Sequence, residues 1–139
     1  MLFAKRARTI KRILIVEDEP LVAFDNEYFL TGAGYEIVAT VDNVPAALKV
    51  LDDKIDLVLA DVSLSDGGNG RDVAEAAQRH GVPLVFVTGS CPIDAQTLAM
   101  GCLAKPYSQR DLLAAIDTIE AKLSGREPKR VPRGFTLFG

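Results

Sequence analysis

The sequence predicts a doubly wound α/β domain built on a five-stranded parallel sheet. Two observations indicate this fold: short runs rich in Ile, Leu and Val recur five times in 139 residues, and segments with helical periodicity separate them. Apolar runs without polar alternation are typical of strands covered on both faces. Strands that alternate with helices along the chain favour a parallel sheet flanked by helices.

The first strand and helix are marked by an apolar run that ends in acids and a proline. Residues 13–16 predict strand 1, and Pro20 suits the first turn of a helix, where its missing N–H costs nothing. Gly32 and Gly34 supply the signal that ends this helix. Helical spacing between these limits is shown by Leu21, Phe24 and Tyr28.

A second strand and helix follow directly. Residues 35–41 predict strand 2, and Asp42 or Asn43 can cap a helix that has Pro45 in its first turn. The residues expected to face inward from this helix are Ala47, Leu48 and Leu51.

The middle of the chain carries the strand around which the rest is organised. Residues 55–60 predict strand 3, which delivers the carboxylate of Asp61 at its C-terminal end. A loop rich in turn formers at 65–70 precedes a helix over about 71–80, and residues 83–88 predict strand 4. In open α/β sheets the C-terminal ends of the strands are where ligands bind.

The last predicted strand is short, and so is the helix before it. Residues 101–104 predict strand 5, while residues 91–99 leave barely two turns for helix 4, which must be short or irregular. Ser108 and Asp111 resemble a capping box that opens helix 5. Its apolar face comprises Leu112, Ile116, Ile119 and Leu123.

Charge divides the chain into an acidic body and two basic ends. The net charge is −3, but residues 1–12 contain five bases and no acid, and residues 13–124 carry 7 bases against 18 acids, a net of −11. We therefore expect an N-terminal arm at 1–10, a folded domain at 11–124 and a C-terminal arm at 125–139, whose apolar residues could dock. Nucleic-acid binding is not expected, because no aromatic or Gly-rich motif accompanies the basic charge.

The remaining composition indicates a cytoplasmic protein with reduced thiols. No apolar run approaches the roughly 20 residues that a membrane helix needs. Cys91 and Cys102 lack the C-x-x-C spacing of metal or redox sites, and free thiols are the expectation.

The order of strands predicts where the acids meet. A five-stranded sheet of this kind favours the flavodoxin-like order 2-1-3-4-5, with the switch point between strands 1 and 3. The C-terminal ends of strands 1 and 3 are then neighbours, so that Glu17 and Asp18 should lie close to Asp61. Carboxylates that converge in one crevice repel each other unless a cation joins them, and Mg²⁺ is the hard cation that takes one or two carboxylates.

Two more strand ends add groups suited to phosphate. Thr88 ends strand 4 and Lys105 follows strand 5, so that a hydroxyl and an ammonium accompany the acids. Taken together the residues predict a phosphoryl site in which Asp61 is the nucleophile. Taken singly, an acid at a strand end is commonly a helix cap, and a lone lysine is commonly a surface residue.

These motifs, in this order, resemble the receiver domain of two-component response regulators over about residues 11–124. The segments that carry the resemblance are Ile13-Leu14-Ile15-Val16-Glu17-Asp18-Glu19-Pro20, Asp56-Leu57-Val58-Leu59-Ala60-Asp61, Val87-Thr88-Gly89 and Lys105-Pro106. The resemblance implies that a histidine kinase or a histidine phosphotransferase phosphorylates Asp61. It also implies that Thr88 and Lys105 bind the phosphoryl oxygens and that the peptide bond before Pro106 is cis. The implied Mg²⁺ ligands are Glu17, Asp18, Asp61 and the backbone carbonyl of Ser63.

Two departures distinguish the chain from ordinary receivers. The short helix 4 and the segment at 83–89 are similar to the FATGUY-type single-domain receivers of alphaproteobacterial stress signalling. The switch aromatic is absent from both usual places, which hold Cys102 and Ser90. Tyr107 and Phe86 are nearby candidates for its role, and core packing is the alternative explanation for both.

The predicted function is a stand-alone phospho-acceptor that switches protein binding, with no enzymatic activity beyond its own phosphorylation and dephosphorylation. Its output, and a dimer if one forms, would use the face of helix 4, strand 5 and helix 5. Alternatives are a phosphate sink or shuttle, and a receiver-like module that binds without phosphorylation. A haloacid-dehalogenase-type phosphatase needs a second Asp where Ser63 stands, and an FMN-binding flavodoxin would not carry acids in its phosphate loop.

Overall fold

The computed structural model describes residues 8–64, 68–92 and 94–138, which form a doubly wound α/β fold. Within these residues six strands form a single sheet of order β2-β1-β3-β4-β5-β6. The strands are Arg12–Val16 (β1), Glu36–Val41 (β2), Leu57–Ala60 (β3), Leu84–Thr88 (β4), Gly101–Ala104 (β5) and Phe135–Leu137 (β6). The first five are parallel in the predicted order, and β6 is antiparallel to β5.

Five helices connect or follow these strands in the described part of the chain. They are Pro20–Gly32 (α1), Val44–Val50 (α2), Gly70–Arg79 (α3), Ala95–Leu98 (α4) and Gln109–Leu123 (α5). The short helix 4 is confirmed, since α4 has only four residues. Side-chain caps begin three helices: Asn43, Asn69 and Ser108 accept a hydrogen bond from the backbone N–H of Ala46, Arg71 and Asp111, respectively.

The sheet separates two hydrophobic layers, because successive residues of a strand point to opposite faces. One layer joins residues such as Leu14, Val58 and Phe86 to α2, α3 and α4. The other joins residues such as Ile13 and Leu59 to α1 and α5. Burial on both faces explains why the parallel strands read as continuous apolar runs.

One apolar expectation is wrong, and one apolar repeat lies on the surface. Leu48 of α2 is partly exposed rather than inward-facing, whereas Ala47 and Leu51 are buried. The helical repeat of Leu21, Phe24 and Tyr28 lies on the outside of α1, where all three are more than 60% exposed and the two aromatic rings stack. The buried face of α1 instead consists of Ala23, Asn26 and Leu30.

Described residues near both ends of the chain contact the domain, whereas residues 1–7 of the predicted N-terminal arm lie outside the described residues. Ile10 is fully buried, and its N–H donates to Glu120 Oε1 at 2.9 Å. At the other end β6 lies along β5, and the ring of Phe135 covers Gly101, where a Cβ would come within 2.5 Å of the ring. Glycine at position 101 therefore permits the sixth strand. No helix among the described residues is long and apolar enough to cross a membrane.

Candidate functional site

The site lies at the C-terminal ends of β1, β3, β4 and β5. β1 and β3 pair with Val16 opposite Ala60, and the N–H of Asp61 donates to the Val16 carbonyl at 2.9 Å. This register sets Glu17, the residue after β1, beside Asp61, the residue after β3. Both are buried, so two carboxylates share a small volume with little water.

Lys105 joins these acids in one cluster. Its Nζ lies 2.8 Å from Glu17 Oε1, 2.9 Å from Glu19 Oε1 and 2.9 Å from Asp61 Oδ2. Its side chain is 16% exposed, that of Glu17 is 3% exposed and that of Glu19 is 60% exposed. The three N–H donors of one ammonium thus reach three carboxylates.

Burial and ion pairing compete in setting the protonation of this cluster. Burial raises the pKa of Glu17 above its ordinary value of 4.5, and the hydrogen bond from Lys105 opposes that effect. Burial alone would lower the pKa of Lys105, but hydrogen bonds to the three acids outweigh it and raise the pKa. Lys105 is therefore a firmly protonated cation at the centre of the site.

The acids fit a divalent cation. One oxygen from each of Glu17, Glu19 and Asp61 can lie within 4.8 Å of the others, and among the described residues these three form a group able to hold a metal ion. Oxygen donors and a negative excess suit Mg²⁺. Asp18, the other acid expected in this role, is outside this group and instead lines a neighbouring cleft with Asp42.

Glu19 is the residue that sequence reasoning missed. The sequence pattern places Glu19 only in the acidic run after strand 1, yet its carboxylate contacts Lys105 directly. It occupies the N-cap position of α1 without making a side-chain cap, which leaves its carboxylate free to reach the lysine. Its signal in the sequence was the spacing of two from Glu17, immediately before the proline that fixes the start of α1.

The chain after Asp61 turns back onto itself. The Ser63 N–H donates to Asp61 Oδ1 at 3.3 Å, and Ser63 forms an isolated bridge with Asn69. The Gly70 N–H donates to the Val62 carbonyl at 2.7 Å, so that the first residue of α3 rests on the segment after β3. Within the predicted loop at 65–70, residues 65–67 lie outside the described residues.

Thr88 and Lys105 are linked through the backbone of β4 and β5. The Lys105 N–H donates to the Thr88 carbonyl at 2.8 Å. The Thr88 hydroxyl lies 3.4 Å from the N–H and 3.5 Å from the carbonyl oxygen of Ser90, which are long contacts. The hydroxyl is thus held loosely by the first residues of the loop after β4.

The residues after Lys105 contact α1. The Lys105–Pro106 peptide is cis. Tyr107 follows it, and the Tyr107 hydroxyl oxygen accepts a hydrogen bond from Asn26 Nδ2 at 2.7 Å. Burial raises the pKa of Tyr107 above its ordinary value of 10.0. Tyr107 is therefore anchored to the buried face of α1.

The expectation of two reduced thiols is wrong: Cys91 and Cys102 form a disulfide. Cys102 lies on β5 opposite Phe86, and the loop after β4 brings Cys91 over the same strand, with the two Cα atoms 6.3 Å apart. Sequence spacing did not reveal the pair, because strand pairing rather than a short motif brings the sulfurs together. Position 102 is one of the usual places of the switch aromatic. It therefore holds a covalent crosslink and not the expected free thiol.

Comparisons with known proteins agree with this geometry. Residues 13–117 match the response regulator receiver domain. The chain is 37% identical over 79 residues to the phyllosphere-induced regulator PhyR of Methylorubrum extorquens, with 55% of this chain and 30% of that protein covered. It is 33% identical over 113 residues to the transcriptional regulatory protein PdtaR of Mycobacterium tuberculosis, with 77% and 55% covered. The chain thus spans about half or less of the length of these relatives.

Solved structures give the same result. A CheY-like receiver domain protein from Methanospirillum hungatei superposes with a TM-score of 0.74 at 26% identity, covering 84% of this chain and 98% of that chain. The solution structure of SdrG from Sphingomonas melonis superposes with a TM-score of 0.68 at 36% identity, covering 79% and 96%. The family match over most of the chain, on a sheet of the same order, means that this chain belongs to the response regulator receiver domains.

Proposed function

We propose that this chain is a Mg²⁺-dependent phospho-acceptor in which Asp61 receives a phosphoryl group from a histidine kinase or a histidine phosphotransferase. The observation that carries the proposal is the contact between Lys105 Nζ and Asp61 Oδ2 at 2.9 Å. A lysine on Oδ2 leaves Oδ1, which receives only the long 3.3 Å hydrogen bond from the Ser63 N–H, to attack phosphorus, and it neutralises charge that develops on the transferred group.

Each residue of the site has its own role in the transfer of the phosphoryl group. An Asp61 oxygen forms the new bond to phosphorus while the bond from phosphorus to the donor nitrogen breaks, and the imidazole leaves with its electron pair. Lys105 and the Thr88 hydroxyl bind phosphoryl oxygens. Glu17, Asp61 and the Ser63 carbonyl hold Mg²⁺, with Asp18 or Glu19 as a further ligand, and the bound ion supplies charge neutralisation at the phosphoryl oxygens.

Direct phosphorylation of the protein tests whether Asp61 is the acceptor. Acetyl phosphate with Mg²⁺ should add one phosphoryl group to the intact protein by mass spectrometry, and Asp61→Asn should abolish the addition. Asp53→Asn, which changes an exposed acid outside the site, is the matched control and should be phosphorylated like the wild type. Equal labelling of Asp61→Asn and the wild type would rule out Asp61 as the acceptor.

The exposed stripe of α1 supports a protein phosphodonor. Leu21, Phe24 and Tyr28 form an apolar strip on the helix that begins beside Glu19, and exposed apolar strips commonly mark protein contacts. We infer that the donor docks on this strip and presents its phosphohistidine to Asp61. Phe24→Ala should slow transfer from a protein donor at least several-fold while leaving labelling by acetyl phosphate unchanged; equal slowing of both would contradict docking on the strip.

The phospho-acceptor unit is proposed to span residues 11–124, to act in the cytoplasm and to resemble the FATGUY-type receivers of stress signalling. Because β6 pairs with the outer edge of β5, the output of this unit is inferred to be protein binding through α4, α5 and the β5–β6 edge rather than through an exposed β5. Small residues at Ser63 and Ser90 leave space for water, so we expect a phosphoryl lifetime of minutes. A lifetime of many hours with Mg²⁺ present would contradict that expectation.

A further inference from the structure

We propose that the Cys91–Cys102 disulfide is a reversible modification site, and that its reduction by a dithiol permits the phosphorylation signal to leave the site. The inference rests on the proposed phospho-acceptor function. The position of the crosslink is the first argument. It joins the loop that follows Thr88, the last residue of β4, to β5, the strand that directly precedes Lys105.

The disulfide lies next to the group that phosphorylation would move. Thr88 ends β4, its hydroxyl contacts the backbone of Ser90, and Cys91 is the next residue. A phosphoryl group that takes the Thr88 hydroxyl removes those contacts, which frees the loop unless another bond holds it. The disulfide is that bond, because it fixes Cys91 to a strand whose residue 102 is fully buried.

The ion pair that also restrains this segment is weaker than a covalent bond. Arg71 Nη2 lies 2.7 Å from Asp94 Oδ1 at the start of α4, and both side chains are more than a third exposed. Ion pairs of this kind are screened by salt and contribute little. α4 is also held by the hydrogen bond from Gln78 to the Thr97 carbonyl and by the buried Ala95. The crosslink is nevertheless the covalent restraint on the loop that would have to follow Thr88.

Thiol–disulfide exchange can begin at Cys91, the exposed residue of the disulfide. Cys91 is exposed and Cys102 is buried, so an incoming thiolate reaches Cys91 Sγ. A bond forms between that thiolate and Cys91 Sγ while the Cys91–Cys102 bond breaks, and Cys102 leaves as a thiolate that takes a proton. The second thiol of the reductant then displaces Cys91, so that two electrons and two protons move from the dithiol to the protein. Reduced Cys102 remains in the apolar layer, where a thiol packs as a small hydrophobic group.

The test compares backbone amide NMR spectra of oxidised and dithiothreitol-reduced protein, each with and without Mg²⁺ and beryllofluoride. Oxidised protein should show shifts at Asp61, Thr88 and Lys105 only, whereas reduced protein should show them also in α4 and the loop after β4. Cys91→Ser, a change at an exposed position, should behave like reduced wild type whether or not dithiothreitol is present. Mass spectrometry under denaturing conditions should show a gain of two hydrogens on reduction.

The outcomes separate this inference from the proposed function. Shifts that reach α4 equally in oxidised protein, reduced protein and Cys91→Ser would overturn redox control while leaving the phospho-acceptor intact. Failure of the reduced protein to reform the crosslink with oxidised glutathione would also overturn it. No shift at Asp61 or Lys105 in either state would instead reject the proposed function.

Discussion

Substitution of Gly70 tests the way in which α3 supports the proposed phosphorylation site. Gly70 is the first residue of α3, and its N–H donates to Val62. A Cβ at this position would overlap the Asp61 carbonyl oxygen and lie 2.9 Å from both the Asp61 carbonyl carbon and Val62 Cα. All three atoms belong to the backbone, so no side chain can rotate away to make room.

The size of the effect follows from two opposing contributions. Overpacking costs about 1–3 kcal/mol, and the large backbone overlap puts Gly70→Ala near the upper end. Alanine gains up to about 1 kcal/mol over glycine in a helix. The net prediction is a loss of about 2 kcal/mol in the free energy of unfolding, which corresponds to a fall of roughly 6–10 °C in Tm for a chain of this size.

Gly32→Ala is the matched control, because Gly32 also lies in a helix and nothing is within 4 Å of its added Cβ. Without a clash only the backbone contribution remains, and the variant should gain about 0.5 kcal/mol. Urea unfolding with an unchanged m-value measures both substitutions. Beryllofluoride uptake, followed at Asp61 by NMR, should weaken in Gly70→Ala alone. The reasoning fails if Gly70→Ala unfolds at or above the wild-type midpoint and takes up beryllofluoride normally.

Three further substitutions probe the cluster, the edge strand and the tyrosine. Burial raises the pKa of Glu17 in the folded state. As the pH rises above 4.5, ionisation of Glu17 therefore destabilises the folded state relative to the unfolded state. Lys105→Met removes the opposing cation, so its Tm should fall more steeply than the wild-type Tm between about pH 5 and 8, and Mg²⁺ should restore it; parallel pH profiles would contradict this. Phe135→Ala should cost about 3 kcal/mol by urea unfolding, because it empties the buried end of β6; a change below about 1 kcal/mol would mean that β6 adds little. Tyr107→Phe leaves the buried Asn26 amide without its acceptor and should cost about 1–2 kcal/mol, whereas an unchanged midpoint would refute that hydrogen bond.

In the wild type, the contribution of Lys105 to stability also falls as the pH rises, but over a much higher range of pH than that of Glu17. Its pKa is raised in the folded state, so the stabilisation is fully present below the ordinary pKa of 10.5 and is lost only as the pH rises through the higher folded value. Between about pH 5 and 8 the lysine stays charged, and a pH-dependent Tm in that range comes from the acids.

The sheet was predictable because its signal is local. Each buried parallel strand is a continuous apolar run, and the crossover rule fixes the order once five strands alternate with helices. The sixth strand was not predictable in this way. Phe135–Leu137 is a three-residue segment among prolines and charges, and its pairing depends on the bare edge of β5 and on the space above Gly101, which belong to the folded molecule.

The candidate site was predictable at the level of strand ends but not of side-chain direction. Asp61, Glu17 and Lys105 converge because strand register places them together. The choice between Asp18 and Glu19 depends on the backbone after β1, where Pro20 starts α1 and turns the third acid towards the lysine. A run of three acids carries no local signal that distinguishes them.

The charge of the cluster gives a physical reason to expect Mg²⁺. Glu17, Glu19 and Asp61 share one ammonium, so full ionisation leaves an excess of two negative charges around Lys105. A phosphoryl group on Asp61 would add up to about one more, and its oxygens would compete for the N–H donors that now bind the carboxylates. One lysine cannot serve both sets of oxygens, since it has three donors and all three are used. A divalent cation that takes over the carboxylates frees Lys105 for the phosphoryl group, so that metal binding and phosphorylation should depend on each other through this one side chain.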